Sequence, residues 1–296
     1  MSFIFYFAPI KYKKLAMMYI SSDEQLIKAK AFSELHSQPG LFVIPNPWDA
    51  GSARILATLG FKALATTSAG LAFSLGKPDG ANVLSRDEAL RNAAVINTAT
   101  SLPVSADLEN GYGDDPEACA ETVLLAAKAG IAGCSIEDAT NRPDSPIYTF
   151  EHAVARIKAA VAAARSLPFP FTLTARAENL IHGRPDLNDT IRRLEAFAAA
   201  GADVLYAPGL RSLEEIESVV KAVAPKPVNV LMGLSGVKIT VSQLADLGVK
   251  RISIGSAIAR AAYGSFLRSA REISEQGTFA FAEEAVPYAT FNALFM

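Results

Sequence analysis

Residues 102–113 read LPVSADLENGYG, and residues 133–138 read GCSIED. Each stretch is a short apolar run that ends in acidic residues, and a helix-like segment separates the two. An order of strand, helix and strand is typical of a parallel sheet, because a parallel neighbour is reached only through a crossover. Successive parallel strands end at the same edge of the sheet, so we expect their terminal acids to lie together. Those acids are Asp107, Glu109, Glu137 and Asp138.

The same alternation extends along the rest of the chain. Short apolar runs are predicted as eight strands, at residues 41–44, 63–66, 104–107, 133–136, 172–175, 204–206, 228–231 and 251–254. Helix-like segments separate them, at residues 50–59, 86–98, 116–129, 151–166, 188–200, 213–223 and 241–247. Four of these segments are followed by a glycine that suits a left-handed helix cap, namely Gly60, Gly130, Gly201 and Gly248. Since no GxGxxG turn follows the first strand, eight βα units predict an α/β fold of the closed (β/α)8 TIM barrel type.

The predicted barrel occupies most of the chain, whose 296 residues suit one barrel of about 250 residues. We expect residues 1–25 to form a poorly specified N-terminal extension and residues 26–296 to form a single TIM-barrel domain. The first apolar run is too short to span a membrane and lacks the layout of a signal peptide, and Met17 or Met18 is an alternative start. Two C-terminal helices are predicted beyond the last strand, at residues 256–273 and 279–294. The last of them has apolar residues that could pack on another subunit.

The composition excludes several classes of protein. Lys and Arg together number 28 against 30 Asp and Glu, and no long block of like charge occurs, so we expect no nucleic-acid partner. Hydrophobic residues make up 50% of the chain, enough for one large core, and we expect no membrane partner. Cys119 and Cys134 are too few for a disulfide framework or a cysteine-based zinc site. We therefore expect a cytoplasmic protein with a small-molecule partner.

Further polar residues stand at the predicted C-terminal ends of the strands and in the loops after them, where barrel active sites lie. They are Asn46, Trp48, Asp49, Thr66, Thr67, Ser68, Asp79, Arg176, Glu178, Asn179, Tyr206, Asn229, Ser253 and Ser256. Several carboxylates at one place require a cation, and Mg²⁺ or Mn²⁺ is the ion that acids, waters and a substrate oxygen satisfy best. Arg176 is suited to a substrate carboxylate, and a structural ion pair with the acids is the alternative. Asp49 could simply cap the following helix, and His36, His152 and His182 are interpreted as surface or loop residues.

Several of these segments resemble the isocitrate lyase and phosphoenolpyruvate mutase superfamily. The matching segments are TSAG at 67–70, LGKPD at 75–79, ADLENGYG at 106–113, SIED at 135–138 and TAR at 174–176. The resemblance extends in the right order from about residue 42 to residue 258.

The resemblance implies a TIM barrel with a Mg²⁺ ion at its mouth, bound in part through water. The implied metal ligands are Asp79, Asp107, Glu109 and Glu137. The residues that match Ser68 and Arg176 are implied to hold the carboxylate or oxo-acid part of a substrate. The implied chemistry breaks or forms a C–C or P–C bond next to a pyruvate-like enolate. The implied assembly is a homo-oligomer, a dimer or tetramer, in which the last helix is exchanged between subunits.

Two departures from the family pattern bear on function. Members usually carry Asp-x-Asp-Thr-Gly-Tyr-Gly after the third strand, whereas this chain has Glu109 and Asn110 in place of the second Asp and the Thr. The lyases carry a Lys-Lys-Cys-Gly-His loop after the fourth strand, whose cysteine acts as a general acid or base, and here residues 138–146 read DATNRPDSP. Cleavage of isocitrate or methylisocitrate, which uses that thiol, is therefore not expected.

The sequence thus predicts a Mg²⁺-dependent carbon–carbon lyase or decarboxylase that acts on a small 2-oxo or 2-hydroxy dicarboxylate through a metal-stabilised enolate. Arg176, Glu109 and Asn141 are the predicted catalytic residues, with Asn141 or Arg142 on a gating loop. The predicted substrate-binding residues are Thr67, Ser68, Ala69, Gly70, Arg176 and Asn229. The alternatives are a phosphonate P–C bond enzyme, of the mutase or phosphonopyruvate hydrolase type, and a non-catalytic barrel that binds a metabolite.

Overall fold

A computed structural model describes residues 22–296 of the chain. The alternative starts at Met17 and Met18, and most of the predicted N-terminal extension, lie outside the described residues. Helix α1 (Asp23–Ser37) is capped by Ser22, whose hydroxyl accepts a hydrogen bond from the Gln25 amide at 3.1 Å. This helix is not among the predicted segments, and it crosses the expected domain boundary at residue 26.

Eight parallel strands form a sheet that is nearly closed into a barrel. They are β1 (Phe42–Ile44), β2 (Leu64–Ala65), β3 (Val104–Asp107), β4 (Gly133–Glu137), β5 (Thr172–Arg176), β6 (Val204–Tyr206), β7 (Val228–Leu231) and β8 (Arg251–Ser253). Each strand from β2 to β8 pairs with its neighbour in sequence, and β8 pairs with β1. Between β1 and β2, the Ala65 amide donates to the Pro45 carbonyl at 3.1 Å. The predicted (β/α)8 TIM barrel is confirmed.

Helices connect the strands on the outside of the barrel. They are α2 (Ala50–Thr58), α3 (Ser68–Ser74), α4 (Arg86–Thr98), α5 (Pro116–Lys128), α6 (Phe150–Arg165), α7 (Leu187–Ala200), α8 (Leu213–Val223) and α9 (Val241–Asp246). Apart from the short α3, which the sequence did not predict, each begins and ends within one residue of its predicted bounds. The four predicted cap glycines have φ values of 80°, 86°, 104° and 81°, in the left-handed region that glycine adopts without strain.

The chain continues beyond the last strand in several short pieces. They are α10 (Ala257–Arg271), a π-helical turn (Glu272–Gln276), a 3-10 turn (Ala280–Glu284) and α11 (Tyr288–Ala293). The prediction of one helix over 279–294 is wrong, because Pro287 lacks an amide donor and separates the 3-10 turn from α11. Among residues 22–296, no helix combines the length and the apolar character needed to cross a membrane.

A buried polar group lies inside the barrel. Arg251, the first residue of β8, donates to Asn229 Oδ1 at 2.8 Å and to Thr174 Oγ1 at 3.0 Å, and its Nη1 lies 3.3 Å from His36 Nε2. None of these three partners is a carboxylate. Burial lowers the pKa of Arg251 to about 10.

Candidate active site

Arg176, the last residue of β5, gathers three carboxylates at the C-terminal end of the barrel. Its Nη1 donates to Asp107 Oδ1 at 3.0 Å, its Nη2 lies 3.1 Å from Glu137 Oε2, and its Nε donates to Glu178 Oε1 at 2.9 Å. The sheet register produces this meeting, because Glu137 at the end of β4 is paired with Arg176. The guanidinium also lies 5.0 Å from the centroid of the Tyr206 ring. Asp107 and Glu137, two of the predicted metal ligands, therefore share one arginine.

The start of α3 holds Asp107 from a second direction. Ser68 donates to Asp107 Oδ2 from its amide at 3.2 Å and from its hydroxyl at 3.0 Å. Ser135 of β4 donates to Asp107 Oδ1 at 3.4 Å, and the Asp107 amide donates to Thr66 Oγ1 at 2.9 Å. Both carboxylate oxygens are thus engaged, which fixes the orientation of Asp107.

The predicted substrate-binding segment, residues 67–70, forms the first turn of α3. Thr67 caps the helix, since its hydroxyl accepts a hydrogen bond from the Gly70 amide at 3.2 Å. A Cβ atom at Gly70 would lie 2.6 Å from Thr67 Cγ2 and 2.9 Å from Trp48 Cβ, so the turn needs glycine there. This turn places Ser68 beside Asp107, with Ala69 next along the helix.

The charge of Asp107 raises the pKa of the neighbouring acids Asp79 and Glu109, after burial. Burial, followed by Asp107, raises the pKa of Asp79. Burial, Asp107 and then Asp79 raise the pKa of Glu109 to about 7. The three predicted ligands therefore repel one another as carboxylates.

The acids that contact Arg176 are also crowded. Burial raises the pKa of Glu137 well above its usual range and that of Glu178 to about 7, although Arg176 lowers both. One guanidinium does not balance the carboxylates at this mouth. The site carries a surplus of negative charge.

This surplus bears on the predicted Mg²⁺ or Mn²⁺ site. Within residues 22–296, no three His, Cys, Asp or Glu side chains stand close enough together to hold an ion directly. An ion held by Asp79, Asp107, Glu109 and Glu137 would therefore be bound in part through water, as the resemblance implies. The donor set still fits a hard divalent cation, because it consists of oxygen ligands with unbalanced negative charge.

Glu109 is contacted by Asn141, so two predicted catalytic residues meet. Asn141 Nδ2 donates to Glu109 Oε2 at 3.3 Å. Glu109 has a φ of 45°, in the left-handed region that costs a non-glycine residue about 1–2 kcal/mol. Gly111 follows with a φ of 80°, and a Cβ atom there would lie 3.0 Å from Cys119 Sγ. The backbone after β3 is held in a strained turn that aims Glu109 at the loop.

The gating loop, residues 138–149, is tied to the segment after β3. Arg142 Nη1 pairs with Asp114 Oδ2 at 2.7 Å, and the Tyr148 hydroxyl donates to Asp114 Oδ1 at 2.6 Å. A cavity of about 760 Å³ opens beside the loop, and its lining includes Asn82, Tyr112, Thr140 and Arg142. Through these contacts and the bond from Asn141 to Glu109, the loop lies against the candidate site.

Asp138 does not join the other acids, contrary to the prediction. Its Oδ1 accepts a hydrogen bond from the Glu178 amide at 2.8 Å, and its Oδ2 accepts one from Arg193 Nη1 at 2.9 Å. Arg193 belongs to α7 and also pairs with Asp189 at 2.8 Å. Successive residues of a strand point to opposite faces, so Glu137 turns into the mouth and Asp138 turns out toward the helix.

Two other predictions can be compared with the structure. Asn229, predicted to bind substrate, is fully buried and uses both ends of its amide on Ser253 and Arg251, at 2.9 and 2.8 Å. Its hydrogen bonds do not go to the acids at the mouth. Asp49 caps α2, with its Oδ1 accepting a hydrogen bond from the Ser52 amide at 2.7 Å, which confirms the structural alternative.

Two residues at the mouth are not among the predicted catalytic, substrate-binding or metal-binding residues. Glu178 is the third acid on Arg176, and its position two residues after that arginine is the signal that could have identified it, because alternate residues share a face. His182 lies four residues further on, with Nε2 3.8 Å from Glu178 Oε2. Burial, followed by Arg176, lowers the pKa of His182.

The barrel and its acids can be compared with those of known proteins. A profile of the phosphoenolpyruvate phosphomutase family matches residues 32–274. The chain belongs to this family. Three proteins of known structure or assigned activity are similar to this chain.

A structure from Burkholderia cenocepacia J2315, assigned provisionally as a lyase or mutase, is 59% identical, with a TM-score of 0.89 over 93% of this chain and 97% of that chain. The structure of oxaloacetate acetylhydrolase with its product oxalate is 30% identical, with a TM-score of 0.81 over 90% of this chain and 93% of that one. The oxaloacetate decarboxylase of Bradyrhizobium diazoefficiens is 31% identical over 70% of this chain and 74% of its own length.

Proposed function

We propose that this phosphoenolpyruvate phosphomutase family member is a divalent-metal-dependent lyase or decarboxylase for a small 2-oxo or 2-hydroxy dicarboxylate. The observation that carries the proposal is the surplus of acid at the mouth, where Asp107, Glu137 and Glu178 share Arg176. Such a site favours a bound cation and an oxyanion beside it. The similarity to two proteins named for oxaloacetate supports this substrate class.

Mg²⁺, with Mn²⁺ as the substitute, is the cofactor we propose. Asp107 and Glu137 would hold it, and Asp79 and Glu109 would complete its surroundings, partly through water. When bound, such an ion stabilises the negative charge that develops on an enolate oxygen. The oxygen-only donors and the raised pKa of Glu109 support this assignment.

The residues of the chain would then act on the substrate in three ways. With Asp107 and Glu137 neutralised, the two Nη groups of Arg176 become available to a substrate carboxylate. The hydroxyl of Ser68, released from Asp107, can donate to the oxo-acid end. Asn141, on the gating loop, covers the site and limits access of water.

The two cysteines do not supply the missing thiol of the lyase loop. Cys119 and Cys134 are both buried, and burial raises the pKa of Cys119 to about 11 and that of Cys134 further. Decarboxylation needs no such acid, because CO₂ leaves as the C–C bond breaks and the electron pair passes into the enolate. Water can protonate the enolate afterwards. Decarboxylation is therefore the leading reaction.

Phosphonate chemistry is the second candidate, because the family itself is that of phosphoenolpyruvate phosphomutase. A ³¹P NMR assay with phosphonopyruvate separates the two reactions. Conversion to phosphoenolpyruvate or release of phosphate would support P–C chemistry, and an unchanged phosphonate resonance would exclude it.

The proposal includes a homo-oligomer in which C-terminal segments pack on a second copy, as a dimer or a tetramer. Its support is the apolar surface of α10 and the segment after it, where Phe266 is 70% and Phe279 is 65% exposed. Tyr288 of α11 is 84% exposed. Light scattering coupled to size exclusion would measure the assembly.

We also propose a cytoplasmic location, supported by the two free cysteines.

The test is Mg²⁺-dependent release of pyruvate from oxaloacetate. Asp107→Ala should lower kcat/KM by at least about a hundredfold, because it removes a ligand and an anchor of Arg176. Asp115→Ala is the matched control, since Asp115 lies at the start of α5 and its side chain makes no cap hydrogen bond. Equal turnover by the two variants would refute the metal site. Binding of Mg²⁺ and oxalate without turnover of any 2-oxo or 2-hydroxy acid would instead favour a non-catalytic barrel.

A further inference from the structure

The four non-glycine residues with left-handed φ among residues 22–296 are found near one corner of the mouth. They are Asn82, Glu109, Tyr112 and Asn141, with φ values of 52°, 45°, 60° and 56°. We call this set the left-handed corner. Non-glycine residues in this region are uncommon, and such strain persists only where the surroundings hold it in place.

The left-handed corner joins loops that follow three different strands. The side-chain amide of Asn141 donates to two acceptors, Glu109 Oε2 at 3.3 Å and Asn82 Oδ1 at 3.2 Å. Asn82 in turn donates from its Nδ2 to the carbonyl of Thr140 at 3.3 Å. Asn82 therefore binds the gating loop twice, once through the backbone before Asn141 and once through the Asn141 side chain.

Tyr112 adds an independent observation at the same corner. Its hydroxyl is buried and has no hydrogen-bond partner within residues 22–296. After burial, the charge of Glu109 is the largest influence that raises the pKa of this phenol. Buried hydroxyls without a partner in the protein are uncommon.

The strain falls unevenly on these residues. Asparagine enters the left-handed region readily, because its short polar side chain bonds locally, whereas glutamate does not. Glu109 therefore needs an external restraint more than Asn82 or Asn141 does. The side-chain hydrogen bond that reaches it comes from Asn141, and Asn141 is held by Asn82.

We propose that Asn82 is a positioning residue, which acts through Asn141 to hold the Glu109 carboxylate at the mouth. This inference rests on the proposed function, because it assumes that Glu109 and Asn141 work on the substrate or its cation. Closure of the gating loop and orientation of Glu109 then become one event, since the same amide of Asn141 makes both contacts. Asn82 lies in the loop between α3 and α4, and its side-chain hydrogen bonds go to Thr140 and Asn141 of the gating loop.

Asn82→Gly tests this role without disturbing the backbone. Glycine adopts a φ of 52° without strain, so the substitution removes the two hydrogen bonds and keeps the loop conformation. We expect kcat/KM for the substrate to fall about tenfold and amide hydrogen exchange in residues 139–147 to become about tenfold faster. Ala81→Gly is the matched control, because it adds a glycine to the same exposed loop and removes no amide. It should stay within about twofold of the wild type in both measurements.

Asn82→Asp separates the two bonds of Asn82. It keeps the oxygen that accepts from Asn141 and loses the donor to Thr140. We expect kcat/KM of Asn82→Asp to lie within about threefold of the wild type, in contrast to Asn82→Gly. The reason is that the hydrogen bond from Asn141, which positions Glu109, is kept. A purely structural role of the loop would give no such rescue.

The inference is overturned if Asn82→Gly matches Ala81→Gly in either activity or exchange. If the wild-type protein turns over no 2-oxo or 2-hydroxy acid, the proposed function fails by itself. Exchange in residues 139–147, measured with Mg²⁺ and oxalate present, then decides the positioning role. Equal exchange in the two variants would refute it, and faster exchange in Asn82→Gly alone would support it.

Discussion

Glu137 and Asp138 are neighbours in the sequence but belong to two different groups of charges. Glu137 turns into the barrel mouth, where three carboxylates share Arg176. Asp138 turns outward to Arg193, which pairs with two carboxylates and joins β4 to α7. We refer to these as the mouth group and the outer group.

The outer group is balanced, because Arg192 and Arg193 together face the carboxylates of Asp138 and Asp189, whereas the mouth group is not. Both oxygens of Asp138 are satisfied, by Arg193 and by the Glu178 amide, in a setting where the carboxylate is 1% exposed. Burial raises the pKa of Asp138, but in the mouth group neighbouring carboxylates add to burial in raising the pKa of Glu109, Glu137 and Glu178. A balanced buried group is typical of a structural role, whereas a surplus of one charge in a cleft is typical of a functional site.

The largest expected effect on stability comes from breaking the outer group. Arg193→Met should lower the free energy of unfolding by about 3–5 kcal/mol, because it leaves Asp138 buried without its cation. Urea denaturation measures this change. Arg192→Met is the matched control, since Arg192 is 59% exposed and pairs with the same Asp189, and we expect a loss within about 1 kcal/mol. A loss under 1 kcal/mol for Arg193→Met would contradict the conclusion that the outer group stabilises the fold.

Cation binding should stabilise the mouth group next most strongly. At a free Mg²⁺ concentration of a hundred times its Kd, the folded state should gain about 2.7 kcal/mol, because the ion binds the folded chain and not the unfolded one. Chemical denaturation with and without Mg²⁺ measures the gain. Asp115→Asn should keep it and Asp107→Asn should lose it. If Asp107→Asn responds to Mg²⁺ as the wild type does, the ion binds elsewhere.

The adjacent pair Glu137 and Asp138 allows a direct comparison by neutral substitutions of similar shape. Asp138→Asn should lower the free energy of unfolding by about 2 kcal/mol, because a charged hydrogen bond to Arg193 is lost. Glu137→Gln should change it by less than about 1 kcal/mol, because the loss of its ion pair with Arg176 is offset by relief of the repulsion from the neighbouring carboxylates. Activity should show the opposite order, with Glu137→Gln the slower enzyme. Similar losses of stability in the two variants would contradict the division into two groups.

The smallest expected effect on stability concerns Arg251 inside the barrel, whose hydrogen-bond partners Asn229, Thr174 and His36 are not acids. His36 accepts from Arg251 through Nε2 only while its imidazole is neutral, and burial followed by Arg251 lowers the pKa of His36 to about 3. The unfolded chain takes up that proton near pH 6.5, so this contribution to stability is complete above pH 6.5 and is lost as the pH falls. We expect a loss of about 1 kcal/mol between pH 6 and pH 5, which His36→Gln should abolish. The same slope in wild type and variant would assign the pH dependence to other groups.

Much of the fold could be predicted because its signals are local. The strands were predicted from short apolar runs, and the helices between them from amphipathic segments with glycine caps, so β4 and α7 lie where expected. Helix α1 was not predicted, because its polar and apolar residues are mixed and its buried residues include Lys28. The prediction of one helix over residues 279–294 passes through Pro287, although a proline inside a helical segment itself indicates that a helix ends there.

The candidate site was predictable only in part. The acids at the strand ends and Arg176 follow from barrel topology, but their partners do not. Strand-end position alone groups Asp138 with Glu137, although the alternation of strand side chains separates them. The sequence predicts His36 as a surface or loop residue, whereas the structure places it in α1 against Arg251. The contact of Asn82 with Asn141 joins residues 59 positions apart, and no local pattern indicates it.

The barrel, the family and the crowding of acids at one end of the sheet follow from the amino-acid sequence, because periodicity and strand-end position are properties of neighbouring residues. The folded structure is needed to show which acids compete for Arg176, which one is neutralised by Arg193 and which side chains restrain Glu109. The reason is physical: charge balance and burial depend on distances between residues far apart in the chain. Identical carboxylates at adjacent positions, such as Glu137 and Asp138, thereby acquire opposite roles.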